Sequence, residues 1–192
     1  KFGNDFRWVT LPGNHDISDN DGDGIEWIRK EWTGENVGAE NRERGSDYAY
    51  PGPSGCESTQ YYFFHKGIMF IMMNWYWDGS SDTGAYSSDS SGGRIVDSQI
   101  DWLRDLFQNY SGYHKIVFGH GAAFSFSDRH SDYDYLGGVD KTNRDILWKL
   151  MEDNKVLAYI HGHTHERRID YVDNTYSITG QIEDSWSNGR SN

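Results

Sequence analysis

Five residues, His161-Gly162-His163-Thr164-His165, restrict what this chain can become more than any other stretch. They follow the apolar run Val156-Leu157-Ala158-Tyr159-Ile160, which has the length and bounds of a buried strand. Three imidazoles in five residues at the mouth of a strand are a poor filling for a core, because each buried ring nitrogen needs a partner. They suit a transition metal, since neutral imidazole binds zinc, iron and related ions. An HxH pair alone is equally well an ordinary polar turn. Its weight depends on the rest of the chain.

The 192 residues fall within the range of one domain able to bury a sizeable core. A formal net charge of −12 speaks against nucleic acid or an anionic membrane as the main partner, since both demand basic patches. An anionic substrate would then need metal ions to neutralise it locally. Cys56 is the single cysteine, so the chain forms no internal disulfide and no Cys-based zinc cluster. No apolar run is long enough to span a bilayer, and no signal-peptide pattern opens the sequence. Few lysines, many Gly, Ser and Tyr residues, and the sequon Asn109-Tyr110-Ser111 lean toward an extracytoplasmic protein.

Strands and helices are expected to alternate. Phe6 to Leu11 reads as a strand broken by Pro12-Gly13, which puts Asn14, His15 and Asp16 on the loop at its end. The run Asp19-Asn20-Asp21-Gly22-Asp23-Gly24 looks like the front half of a calcium loop. Counted from Asp19, however, the closing twelfth position is Lys30, and Ile25 comes one place early. A solvated loop is the plainer reading, and calcium held by Asp19, Asp21 and Asp23 the alternative.

A short helical pattern runs through Trp27, Ile28 and Trp32, and residues 33–59 read as surface loop. Strands follow at Gln60 to His65 and Gly67 to Asn74, joined by a hairpin at His65-Lys66-Gly67. The second is apolar on both faces and therefore central, with Met69, Met72 and Met73 as core. The Ser-, Asp- and Gly-rich residues 78–93 and the loop 124–138 are expected to leave the core. Helices fit Asp97 to Tyr110, with Asp97 as N-cap and Ile100, Leu103, Leu106 and Phe107 inward, and Lys141 to Asp153, with Ile146, Leu147, Leu150 and Met151 inward. The strand Lys115 to Phe118 ends at Gly119-His120, and Thr175 to Thr179 is a last short strand. This is an α/β chain without internal repeats.

Three strand-ending loops thus carry metal-capable residues: Asn14, His15 and Asp16; His120; and His163 with His165. In α/β sheets, sites assemble just beyond the carboxyl ends of strands, where loops distant in sequence converge. His161 fits a supporting or strand-end role better than a ligand; His130 reads as surface, and His65 and His114 as structural.

The ordered set GNHD (13–16), VFGH (117–120) and GHTH (162–165), with a helix before the second and another before the third, resembles the calcineurin-like metallophosphoesterase superfamily, which includes the purple acid phosphatases. The resemblance covers essentially the whole chain. It implies an α/β/β/α sandwich and metal-dependent hydrolysis of phosphate mono- or diesters by attack of hydroxide across two ions of Fe, Mn or Zn. Asn14, His120 and His163 would then ligate one metal and His165 the second. His15 would protonate the leaving alkoxide or hold the phosphate, and Asp16 would fix its tautomer.

The family's first two motifs, DxH and GDxxD or GDxxY, do not occur ahead of GNHD, where only twelve residues stand. They would supply the bridging aspartate and most ligands of the second metal. The sheet would equally lack its first βα units. The chain therefore reads as one N-terminally incomplete domain, the larger C-terminal part of a longer protein. A degenerate, catalytically inactive binding or assembly module, and a site completed by another subunit, are the competing readings. A calcium-stabilised extracellular domain is a third function class.

Overall fold

The computed structural model describes residues 9–18, 25, 49–85, 92–124, 135–138, 141–165, 168–172 and 175–179. Its frame is a seven-stranded sheet in the order β1-β2-β3-β4-β5-β7-β6. The strands are β1 Ala49–Pro51, β2 Tyr61–His65, β3 Ile68–Met72, β4 His114–Phe118, β5 Val156–His161, β6 Arg168–Val172 and β7 Thr175–Thr179. Pairs β3–β4, β4–β5 and β5–β7 are parallel; β1–β2, β2–β3 and β6–β7 are antiparallel. Parallel neighbours need a crossover. Helix α2 (Asp97–Asn109) links β3 to β4, and α3 (Thr142–Asp153) links β4 to β5. A five-residue helix, α1 (Asn14–Ser18), precedes them all.

The expected hairpin is present. Lys66 and Gly67 both adopt positive φ (49° and 81°) between the paired residues His65 and Ile68, the two-residue turn whose twist matches the strands. Helix α2 buries Ile100, Leu103, Leu106 and Phe107, one stripe at helical spacing. These pack with Leu147 and Met151 of α3 against Met69, Ile71, Val117 and Tyr159 of the sheet, forming one core on that face. Met69, Met72 and Met73 are all buried. On the opposite face Phe63, Phe70 and Phe118 are half-buried, with ring centroids 5.1 Å and 6.2 Å apart in succession.

Several expectations need correction. Residues 9–13 form no strand, and GNHD opens helix α1 rather than lying on a loop. Ala49–Pro51, within the expected surface loop, is edge strand β1, where Tyr50 stacks on Tyr62 at 4.9 Å. The cap of α2 is Val96, in extended backbone; its N–H donates to the Gln99 side chain at 3.2 Å, while Asp97 sits in the first turn. Helix α3 turns Ile146 outward (42% exposed) and buries Trp148 instead. Trp148 meets Phe124 and Tyr159 edge-on at 4.8 Å and 6.3 Å, and the larger apolar ring sets the helix's rotation.

The stretch expected to leave the core over 78–93 is built in at both described ends. Ala85 and Gly93 are buried, and Ala85 N–H donates to Tyr76 O at 2.8 Å. Likewise Tyr135 and Leu136 are buried, and Leu136 N–H donates to Ala122 O at 2.8 Å. Strand β6 has no counterpart among the expected elements. The acidic run Asp19 to Gly24, with its candidate calcium ligands Asp19, Asp21 and Asp23, and the helical pattern at Trp27, Ile28 and Trp32 lie outside the described residues. Among the described residues no helix is long and apolar enough to cross a membrane.

Leu103→Ala, which empties a fully buried position facing the sheet, should lower unfolding free energy by about 2–5 kcal/mol in urea titrations. Ile146→Ala, on the solvent side of α3, should stay within about 0.5 kcal/mol. Equal losses in the two variants would contradict the observed rotation of α3.

Candidate metal centre

Strands β4 and β5 pair with Phe118 opposite Ile160, so both leave the sheet at one level. The ladder runs on past the strand ends: Gly119 N–H donates to Ile160 O and Gly162 N–H to His120 O, each at 3.0 Å. Two histidine-bearing turns are thereby laid side by side. Beyond Gly162 the chain tightens again. Thr164 N–H donates to Gly162 O at 2.8 Å around His163, whose φ is +69°. A hydrogen bond from i+2 back to i about a positive-φ residue is the rare, strained form of the γ-turn.

The third contributor is α1. Gly13 N–H donates to Asp16 Oδ2 at 2.7 Å, the backward bond of a capping box, and this fixes the start of the helix. Upstream, Tyr61 of β2 holds Thr10 in both directions, its hydroxyl donating to Thr10 O at 2.5 Å and accepting Thr10 N–H at 3.1 Å. Gly13 also lies against the His120 ring. A Cβ there would be 2.8 Å from His120 Cε1, so only glycine fits.

These three elements bring Asn14, His120 and His163 together. His120 Nε2 is 2.8 Å from Asn14 Oδ1 and 3.2 Å from His163 Nδ1, and His163 Nδ1 is 3.2 Å from Asn14 Oδ1. Hydrogen bonds cannot satisfy all three edges. Each facing ring nitrogen presents either a proton or a lone pair, and the amide oxygen only accepts. If both rings donate to the oxygen, their protons oppose each other; if either accepts, its lone pair faces that oxygen. A cation inside the triangle satisfies all three at once. With metal–ligand bonds of about 2.0–2.1 Å, ligands 90–109° apart are about 2.8–3.4 Å from one another, the range these edges occupy.

Burial pushes the His120 pKa down to about 3, with the nearby rings of His163, His15, His161 and His165 adding to it, so the ring is neutral and its lone pair available. His161 is held down to about 4, first by burial. It stacks on Tyr159 (centroids 5.4 Å apart) instead of entering the triangle. His165, at φ +56°, and His15 are exposed; both are felt electrostatically at His120, but the triangle is made by Asn14, His120 and His163. Among the described residues no three His, Cys, Asp or Glu side chains form a metal-binding group, so the centre depends on the Asn14 amide oxygen. His65 and His114 sit exposed at the opposite end of the strands from the triangle, and His130 lies outside the described residues.

Two residues beneath the site, Trp75 and Tyr159, are not among the expected functional residues. Both are fully buried, and Trp75 Nε1–H donates to the Tyr159 hydroxyl at 2.9 Å. Tyr159 was legible only as an apolar strand residue. Its position two places before His161, on a strand that ends in the site, was the available signal.

The family model for calcineurin-like phosphoesterases matches residues 1–167, which span GNHD, VFGH and GHTH. No curated protein matches the chain.

Gly13→Ala should displace the His120 ring and weaken Zn²⁺ binding by about 10–100-fold in calorimetric titration, a loss typical of disturbed support around a metal ligand. Unchanged affinity would contradict the close packing of Gly13 on His120.

Proposed function

The chain belongs to the calcineurin-like phosphoesterase family, and from that premise we propose that it hydrolyses phosphate mono- or diesters with two transition-metal ions, of Fe, Mn or Zn. The observation that carries this reading is the closed triangle of Asn14 Oδ1, His120 Nε2 and His163 Nδ1 at the ends of β4, β5 and the start of α1. Its three edges match a metal's coordination sphere and cannot all be hydrogen bonds. The mixed sheet and its helical layer suit the family's sandwich.

In this reading the triangle holds one ion and His165 contributes to the second. Bound metal supplies Lewis acidity toward phosphoryl oxygens and lowers the pKa of nearby water. The chain's own residues do the rest. His15, next to Asn14 on the exposed side of α1, delivers a proton to the leaving alkoxide or steadies the phosphate. Asp16, by fixing the first turn through Gly13, holds both Asn14 and His15 in register. Hydrolysis by direct attack on phosphorus would require no nucleophilic side chain, and none stands in the triangle.

A second reading, a binding or assembly module without catalysis, draws on one observation. Among the described residues the converging donors serve one ion, with His165 outside that group. Completing a dinuclear site calls for donors from further residues of the protein or from another chain. Stoichiometric uptake of two ions by the chain would contradict the inert-module reading.

His15→Ala should lower turnover of p-nitrophenyl phosphate by about 10²–10⁴-fold with metal content intact, as expected for loss of a proton donor. His163→Ala should lose both metal and turnover. Undiminished hydrolysis by His163→Ala would remove that residue from the mechanism.

A further inference from the structure

The turn that carries His120 is gripped at each of its residues from beneath. On one side Trp75 lies between two glycines, its indole against Gly119 and its Cβ and carbonyl against Gly93. A Cβ on Gly119 would come within 1.9 Å of Trp75 Nε1, and one on Gly93 within 2.5 Å of Trp75 Cβ. On the other side the Tyr159 hydroxyl donates to Gly121 O at 2.5 Å. The direction of this relay is forced. An indole N–H only donates, so the Tyr159 oxygen accepts from Trp75 at 2.9 Å and its single proton is left for Gly121. Between them His120 O accepts Gly162 N–H.

Trp75 is itself held in place. The Asn74 amide donates to Thr59 Oγ1 at 3.0 Å and to Asp82 O at 2.9 Å, and its oxygen accepts Tyr76 N–H at 2.9 Å. Arg94 N–H donates to Trp75 O at 2.8 Å. The Tyr159 ring also stacks on His161, at the root of the second ligand turn. One side chain therefore touches both histidine-bearing turns.

We propose that Trp75 and Tyr159 are positioning residues for the metal centre: their hydrogen-bond relay fixes the Gly119–Gly121 turn so that His120 Nε2 meets Asn14 and His163. The inference rests on the metal-site reading above. Phenylalanine at 159 would fill the same core volume, so the hydroxyl's contribution is separable from packing.

The test uses the full chain, titrated with Co²⁺ by calorimetry and followed by its d–d absorption, with circular dichroism and thermal melting as checks of fold. Tyr159→Phe and Trp75→Phe should each bind Co²⁺ about 10–100-fold more weakly, with a changed d–d band, while remaining folded. Leu147→Ala, a buried position on α3, should lower the melting temperature yet keep wild-type affinity and spectrum. If Tyr159→Phe does not fold, Trp75→Phe carries the same expectation. Wild-type affinity and band shape in the folded relay variants would overturn the positioning role and leave the metal site standing. Failure of the wild-type chain to take up Co²⁺ would overturn both.

Discussion

The register between β4 and β5 is the constraint on which the site depends. The pairing begins with Lys115 opposite Val156 and resumes, after a shift, with Ile116 opposite Ala158. Leu157 is the extra residue, and it is 43% exposed. A one-residue insertion reverses the inward and outward alternation beyond it. Val156 and Tyr159, three apart, consequently both join the core beneath the helices. An unbulged strand would have sent Tyr159 to the other face and removed the hydroxyl that reaches Gly121. The same slip brings Ile160 level with Phe118, which allows Gly119 and Gly162 to extend the ladder.

The glycines of the three motifs have different reasons. Gly13 and Gly119 are sites of close approach, the first by the His120 ring and the second by the Trp75 indole. Gly162 is not. A Cβ there would find its nearest neighbour, His120 Nδ1, at 4.0 Å, an ordinary contact. Two glycines therefore pack the His120 turn closely, Gly13 against its ring and Gly119 against the Trp75 indole, and the histidine pattern alone does not reveal this.

What the sequence made legible follows from which signals are local. Periodicity placed α2 and its four buried apolar residues, and the apolar runs placed β3, β4 and β5, because one face or both faces of each element are buried. Ordered motifs placed His120 and His163 just beyond strands that the parallel sheet brings level, whereas Asn14 reaches them from the start of α1 and not from the strand end that was expected. The failures lie where tertiary partners decide. Strand β1 is three residues long and pairs only along one edge, too short for any alternation to register. The rotation of α3 depends on Trp148 finding Phe124 and Tyr159, neither of which is near it in sequence. Val96 caps α2 with no side-chain oxygen because Gln99 reaches back to its N–H, so composition pointed one residue too far, to Asp97. The bulge at Leu157 left no mark in a run that is apolar at every position.

His163 shows how these constraints meet at a single residue. Its positive φ costs of order 1–3 kcal/mol, as does that of His165. Histidine enters this region more readily than most residues but still uncommonly, so the surrounding structure helps to impose it. It does so from both sides. Gly162 is bonded to His120 O, and Thr164, itself buried, closes the γ-turn back onto Gly162 O. In this conformation His163 Nδ1 faces Asn14 Oδ1 and His120 Nε2. Asn14 Oδ1, His120 Nε2 and His163 Nδ1 are held within 3.2 Å of one another, an arrangement whose three edges hydrogen bonds cannot all satisfy. On the reading proposed above, a cation in the triangle would meet all three atoms at once.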